Sequence, residues 1–277
     1  MNSMKISIIT INFNNLEGLK KTIESVINQT YSNIEYIVID GGSTDGSVEV
    51  IKEYNDKITY WVSEKDKGIY NAMNKGIMHA EGEYLLMLNS GDTLYKKETL
   101  EKIIGFGLNK DIIYGNVLWV EKDNEFLGTF PSIPRFSYFL NSSLSHQATL
   151  IKRSLHATVG LYNECYKIIS DWCFFMETLF KHNCTFQHIP LVMSKCDRDG
   201  ISCINENLAL IADERRHFIE SKFPLYVKDY EELSYLKNEI SKLKPNKFHK
   251  RIFKIVKRRL KLLSKKIYSG IALFKNK

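Results

Sequence analysis

Four short apolar runs constrain the first hundred residues more than any other feature. KISIITI (5–11), IEYIVI (34–39), ITYWVS (58–63) and EYLLML (83–88) are rich in β-branched or aromatic residues, and each runs into a polar cluster. Runs of that length suit strands buried on both faces. Between the first two, Leu16, Leu19, Ile23, Val26 and Ile27 recur at helical spacing. A short helix through Val48 and Ile51 is expected after the second run, and a longer one over IYNAMNKGIMHA after the third. Strands alternating with helices at this pitch predict an α/β fold, a mostly parallel, Rossmann-like central sheet flanked by helices. Ligands gather at the carboxyl ends of such strands, which is where each polar cluster falls.

Past residue 110 the pattern turns strand-rich (DIIYGNVLWV, EFLGTF), then comes a polar loop, then a helix opening at SDWCFFMETLF. Two further helical stretches, 205–223 and 227–243, make a C-terminal extension. The expected organisation is one catalytic-size domain over 1–205, a helical extension over 206–243 and a basic tail over 244–277.

Charge supports that division. Residues 244–277 hold 13 of the 39 Lys and Arg and none of the 32 Asp and Glu, which leaves the rest of the chain with 26 basic against 32 acidic residues. A basic surface therefore belongs to the tail and not to the catalytic body. In the tail, Phe248, Ile252, Val256, Leu260, Leu263, Ile267 and Ile271 follow one another at steps of three or four, with Lys and Arg on the other faces. This is the pattern of an amphipathic helix on an anionic membrane surface. An oligomer contact, such as a homodimer, is the main rival. No nucleic-acid partner is expected, since no stacking platform or reader motif accompanies the charge.

The five cysteines are odd in number, contain no CxxC pair and match no zinc spacing, so a reduced compartment fits better than a disulfide framework. No run of about 18 apolar residues is present to span a membrane.

The four polar clusters, read in order, are TINFNN, IDGGSTDGS, SEKDKGIYNAMNKG and LNSGD. In that order they resemble the family 2 glycosyltransferases of the GT-A fold, whose usual forms are PTYN, VDDGSTDG, xxGxxxARNxG and LDSDD. The resemblance covers roughly residues 4–205. It is most similar to the bacterial branch that builds O-antigens and capsules, where DGGSTDG, DKGIYxAMNKG and LNSGD are common.

The resemblance implies an inverting transfer of a hexose or N-acetylhexosamine from a UDP-sugar to a saccharide acceptor, lipid-linked and met at the cytoplasmic face of the plasma membrane, with Mg²⁺ or Mn²⁺ as cofactor. Residue by residue, it places Ile11, Asn12 and Phe13 around the uracil, with a core aromatic as the lesser reading of Phe13. Asp40 matches the carboxylate that accepts from the uracil imide N–H. A carboxylate directly after an apolar strand is otherwise costly. The second acidic position of that motif is Gly41 here, and Ser43, Thr44 and Asp45 read as helix-capping residues. In the third cluster Ile69, Met73, Ile77 and Ala80 form a packed stripe, leaving Asn71 and Asn74 for the donor, with Lys67 either on phosphate or in solvent. In LNSGD, Asn89, Ser90 and Gly91 are expected to bind the nucleotide sugar, Gly91 at the ribose position with no side chain to offer it, and Asp92 is the metal ligand. The other two carboxylates of the pattern are absent, so the rest of the cation's shell would come from phosphate and water, as is usual for Mg²⁺.

Asp171, at the start of the SDWCFFMETLF helix, matches the general base that takes the acceptor hydroxyl's proton. His146 and Gln147, in SLSHQATLIKR, are expected on the acceptor or diphosphate side, with the histidine in a strand. DRDGIS (197–202) is similar to a Gly-Ile-Ser loop that closes over the donor. A non-catalytic nucleotide-sugar-binding scaffold of the same fold is the alternative that the reduced LNSGD motif leaves open.

Overall fold

In a computed structural model of the chain, residues 4–122, 124–198, 200, 204–242, 255, 256 and 258 are described. By compactness the chain divides into 1–221 and 222–277.

The first unit opens with strand β1 (Ile6–Asn12), helix α1 (Leu16–Ile27), β2 (Ile34–Asp40), α2 (Ser47–Glu53), β3 (Tyr60–Ser63), α3 (Ile69–His79) and β4 (Tyr84–Met87). Strands β3, β2, β1 and β4 lie side by side, and every pairing among them is parallel. All seven residues of β1 and all four of β4 are buried, because helices cover both faces of the sheet. Gly76 lets α3 press onto β1. A Cβ there would come 2.3 Å from Ile9 Cγ2.

Beyond β4 come β5 (Thr93–Leu94), α4 (Thr99–Gly105), β6 (Ile112–Glu121), β7 (Asn124–Gly128), α5 (Phe136–Phe139), a 3-10 turn (His146–Ala148), β8 (Thr149–Lys152), α6 (Ser154–Thr158), α7 (Ser170–Phe180), β9 (Phe186–Asp197) and α8 (Leu208–Lys222). The sheet continues as β4-β8-β6-β9-β5, with β7 on β6. Here β8 runs antiparallel to both neighbours, while β6 and β9 are parallel and bulged around Tyr114 and Asn116. The parallel half and the mixed half thus form one sheet around one core. The antiparallel β8 carries the 3-10 turn back to the carboxyl ends of β1 and β4.

The second unit holds α9 (Pro224–Lys242), on which Leu225, Leu233 and Leu236 are exposed. The basic tail lies outside the described residues apart from 255, 256 and 258, which are helical. Asp199, Ile201 and Ser202 of the DRDGIS segment also lie outside them. Among the described residues no helix is long and apolar enough to cross a membrane.

Candidate active site

A cavity of about 440 Å³ lies at the carboxyl ends of β1, β2 and β4. This is within the range of small-molecule sites. Ile11, Asn12 and Phe13 enter it from the end of β1, and Asn89 and Ser90 from the end of β4. Phe13 is 65% exposed, so it is a wall of the cavity and not a core ring. Gly41, Lys65, Asp66 and the first turn of α3 complete the lining.

Asp40 does not line it. The residue is fully buried, and its two oxygens take five donors: Asn12 Nδ2 at 2.8 Å, Ser43 Oγ at 2.6 Å, Ser63 Oγ at 2.6 Å, and the backbone N–H groups of Gly42 and Ser43. A carboxylate offers about four lone-pair positions, so none is left for a ligand. Burial pushes its pKa up, but the hydroxyl and N–H donors outweigh that and hold it below the usual carboxylate range. Asp40 is thereby the organiser of the loop after β2, fixing Asn12 on one side and Gly42 and Ser43 on the other.

The turn after β4 is fastened by Thr22 of α1, whose Oγ1 donates to the Asp92 carbonyl at 2.7 Å and accepts from Gly91 N–H at 3.0 Å. Gly91 sits at φ +102°, a conformation that glycine adopts without steric cost, which explains why LNSGD has no side chain there. The turn aims Asp92 inward, 8% exposed, where Gln147 Nε2 reaches its Oδ2 at 3.1 Å. Burial raises its pKa to about 6. Among the described residues no group of three His, Cys, Asp or Glu could hold a metal together. A desolvated hard oxygen whose side-chain donor Gln147 is neutral fits a divalent cation, provided the other ligands are phosphate and water.

Next to Gln147, the His146 ring bridges two other groups. Its Nδ1 lies 2.9 Å from Asp171 Oδ2 and its Nε2 3.3 Å from the Asn89 amide. Asn89 Oδ1 is buried without a partner. Turning that amide over would give this oxygen the Nε2–H of a charged ring. Burial opposes the charge on His146, but the hydrogen bond and charge of Asp171 prevail and its pKa is raised. In return, burial pushes Asp171 up while His146, and then Tyr70, pull it below the usual range. Tyr70 Oη stands 2.9 Å from Asp171 Oδ1 and 2.5 Å from the Ile168 carbonyl. The turn 146–147 therefore holds Asp171 with one residue and Asp92 with the next. The sequence reading put His146 in a strand. It lies instead in the 3-10 turn just before β8, where consecutive side chains can serve different partners.

Three expected donor contacts lie elsewhere. Asn71 Nδ2 and Asn74 Nδ2 both bind Glu164, and Asn74 also exchanges hydrogen bonds with the backbone of Tyr162. They tie α3 to the 162–164 loop, on the side of the helix away from Ile69 and Ala72. Neither they nor Lys67 line the cavity. Four contributors were not singled out in the sequence: Ser63, Lys65, Asp66 and Tyr70. Asp66 and Tyr70 stand in the same SEKDKGIYNAMNKG motif, and a charged residue just before a helix that opens at a strand end was the available signal.

Comparison with known proteins bears on this geometry. Residues 7–160 match the family described as glycosyl transferase family 2. An uncharacterized glycosyltransferase of Mycobacterium tuberculosis is 33% identical over 225 residues, 76% of this chain and 82% of that protein. A PGL/p-HBAD biosynthesis glycosyltransferase of Mycobacterium bovis is 32% identical over 174 residues, 61% of this chain and 67% of its own. Among solved structures, Staphylococcus aureus TarS 1–349 with UDP-GlcNAc aligns over 70% of this chain and 58% of its own, with a TM-score of 0.58 and 19% identity. A second TarS structure is matched over only 37% of its length. A mannosyltransferase of Pyrobaculum calidifontis, solved with GDP-Man and Mn²⁺, aligns with a TM-score of 0.52 and 17% identity over 70% of this chain and 56% of its own. These structural likenesses carry the GT-A fold.

Proposed function

The chain belongs to the family 2 glycosyltransferases, and from that premise we propose that it is an inverting enzyme moving a hexose or N-acetylhexosamine from a UDP-sugar to a lipid-linked saccharide in bacterial surface polysaccharide synthesis. The supporting observation is the 146–147 turn, which holds Asp171 and Asp92 through adjacent side chains, with His146 also 3.3 Å from Asn89 of the cavity wall.

The base of the donor lies against Phe13 in the cavity, and its diphosphate lies toward the Leu88–Asp92 turn. Asp171 takes the proton of the acceptor hydroxyl as that oxygen bonds to the anomeric carbon, and the departing UDP keeps the electron pair of the broken C–O bond. His146 and Tyr70 fix both oxygens of Asp171, so the free lone pairs face the acceptor. Mg²⁺ or Mn²⁺, anchored by Asp92, would neutralise charge growing on the diphosphate. Gln147 keeps the Asp92 carboxylate oriented before donor arrives.

A general base contributes about 10² to 10⁴ in rate. The test is a panel of nucleotide sugars with Mn²⁺ and a lipid-diphosphate acceptor. Asp171→Asn is expected to lose turnover by that factor with UDP affinity kept. Wild-type protein that binds UDP and turns over none of the common donors is a scaffold, and the proposal falls.

A further inference from the structure

The cavity has one carboxylate whose hydrogen bonding is incomplete. Asp66 is 11% exposed; its Oδ1 meets Lys75 Nζ at 2.5 Å, and Lys75 also pairs with Glu64 at 2.7 Å. Oδ2 has no hydrogen-bond partner among the described residues. It points at the bare backbone of Gly41, where a Cβ would stand 3.1 Å from Asp66 Oδ2 and 3.2 Å from Phe13 Cδ2. An exposed aromatic ring and an unpaired carboxylate oxygen thus flank one spot, left open because residue 41 has no side chain. A carboxylate oxygen that faces the cavity without a protein donor is free to accept a ligand N–H.

The chemistry of the spot selects among planar bases. Cytosine and adenine present an amino group beside an unprotonated ring nitrogen on the edge that would face Asp66, so a bond from the amino N–H sets the ring lone pair against the carboxylate. Guanine presents a ring N–H and an amino group side by side, a pair that asks for both carboxylate oxygens, and Lys75 holds one of them. Uracil and thymine present a single imide N–H between two carbonyls, which suits one free oxygen. The carboxylate after β2 is excluded because all its positions are filled. On the reading of the donor as a nucleoside diphosphate sugar, we infer that Asp66, and not Asp40, is the residue that reads the base, and that it selects an imide-bearing pyrimidine. Lys75 acts behind it as a positioning residue, leaving only Oδ2 available.

Calorimetric titration of the full chain with UDP, N3-methyl-UDP, CDP and GDP in the presence of Mn²⁺ tests this. A hydrogen bond to a charged acceptor corresponds to about tenfold or more in affinity. Wild-type protein is expected to bind UDP at least about tenfold more tightly than the other three. In Asp66→Ala the ratio between UDP and N3-methyl-UDP should fall to about one. Asp66→Asn keeps the shape and carries the test should the alanine variant not fold. Lys75 retains the amide oxygen, the NH₂ faces the cavity, and CDP should gain on UDP. If wild-type protein prefers UDP and both variants keep that preference and its sensitivity to N3-methylation, the assignment to Asp66 is wrong while the uridine donor stands. A wild-type preference for CDP or GDP overturns the uridine donor and this inference together.

Discussion

At the scale of single residues, the chemistry rests on how Asp171 is held. Burial alone would raise its pKa, and the His146 hydrogen bond is the largest opposing influence, followed by Tyr70. Tyr162 and Cys173 also feel its charge, and the Arg215 guanidinium stands over the Trp172 ring, 5.0 Å from its centroid. His146→Gln removes the main opposing group and leaves desolvation in control, so the base should hold its proton to higher pH. The expected result is an acid limb of kcat displaced upward, with UDP affinity little changed. Tyr70→Phe should move it the same way by less. An unchanged limb in both variants would remove Asp171 from the role of base. The site was legible only in part from the sequence. Motif order located Asp171, Asp92 and the 146–147 pair, because each is set by the end of an element. It did not show that Asp40 faces its own loop, since five donors converge on it from three segments. Nor did it separate Asp66 from its neighbours, because the difference is made by Lys75, nine residues further on in α3.

At the scale of elements, α3 lends the cavity Ile69 and Ala72, and its seat depends on one missing side chain. Gly76→Ala would put a methyl 2.3 Å from Ile9 Cγ2 on a strand that is buried throughout. Overpacking of this kind costs about 1–3 kcal/mol. Urea unfolding should show a loss in that range, with UDP binding weakened as Ile69 and Ala72 move. The α6–α7 contact depends on pH instead. His156 is 7% exposed, stacked on Phe174 at 4.5 Å, and its Nε2 is buried without a partner. Burial pushes its pKa down to about 4, with the Gly160 carbonyl a weaker opposing influence. The unfolded chain takes up this proton near pH 6.5 and the folded chain only near 4. Stability is therefore full above pH 6.5 and falls as pH drops through that window, by about 3 kcal/mol at its end. His156→Phe should flatten this part of the profile in urea unfolding between pH 7 and 4.5, and an unchanged slope would assign it to other groups. The alternation of α1, β2, α2, β3 and α3 was legible because each buries a stripe or run with its own period. The 12-residue β9 was not, since Pro190 interrupts its pattern and only pairing with β6 makes it a strand. The two-residue β5 is likewise specified by β9 and carries no period of its own.

At the scale of the whole molecule, charge and chemistry are segregated along the chain. The residues up to 243 carry more acid than base, and the last 34 carry 13 basic residues and no acidic one. The proposed nucleoside diphosphate donor and lipid-linked acceptor are both anionic, so an acidic body alone gains nothing from long-range attraction. The tail supplies it, if it lies on anionic lipid and brings the catalytic unit to where the acceptor is dissolved. Each basic residue near such a surface contributes about 1 kcal/mol, and the attraction is confined to about 10 Å at 0.1 M salt. Several residues acting together suffice for reversible binding that high salt weakens. The full chain is expected to co-float with vesicles containing anionic lipid at low salt, to leave neutral vesicles unbound, and to be released from the anionic ones at about 1 M salt, where the Debye length falls to about 3 Å. A chain ending at Leu243 should stay off both vesicle types while keeping UDP affinity and turnover on a water-soluble acceptor analogue. Turnover on the lipid-linked acceptor should fall in proportion to lost binding. If the shortened chain co-floats as well as the full one, the membrane contact belongs elsewhere. If neither floats and the shortened chain changes its oligomeric state, the tail joins copies of the protein to each other.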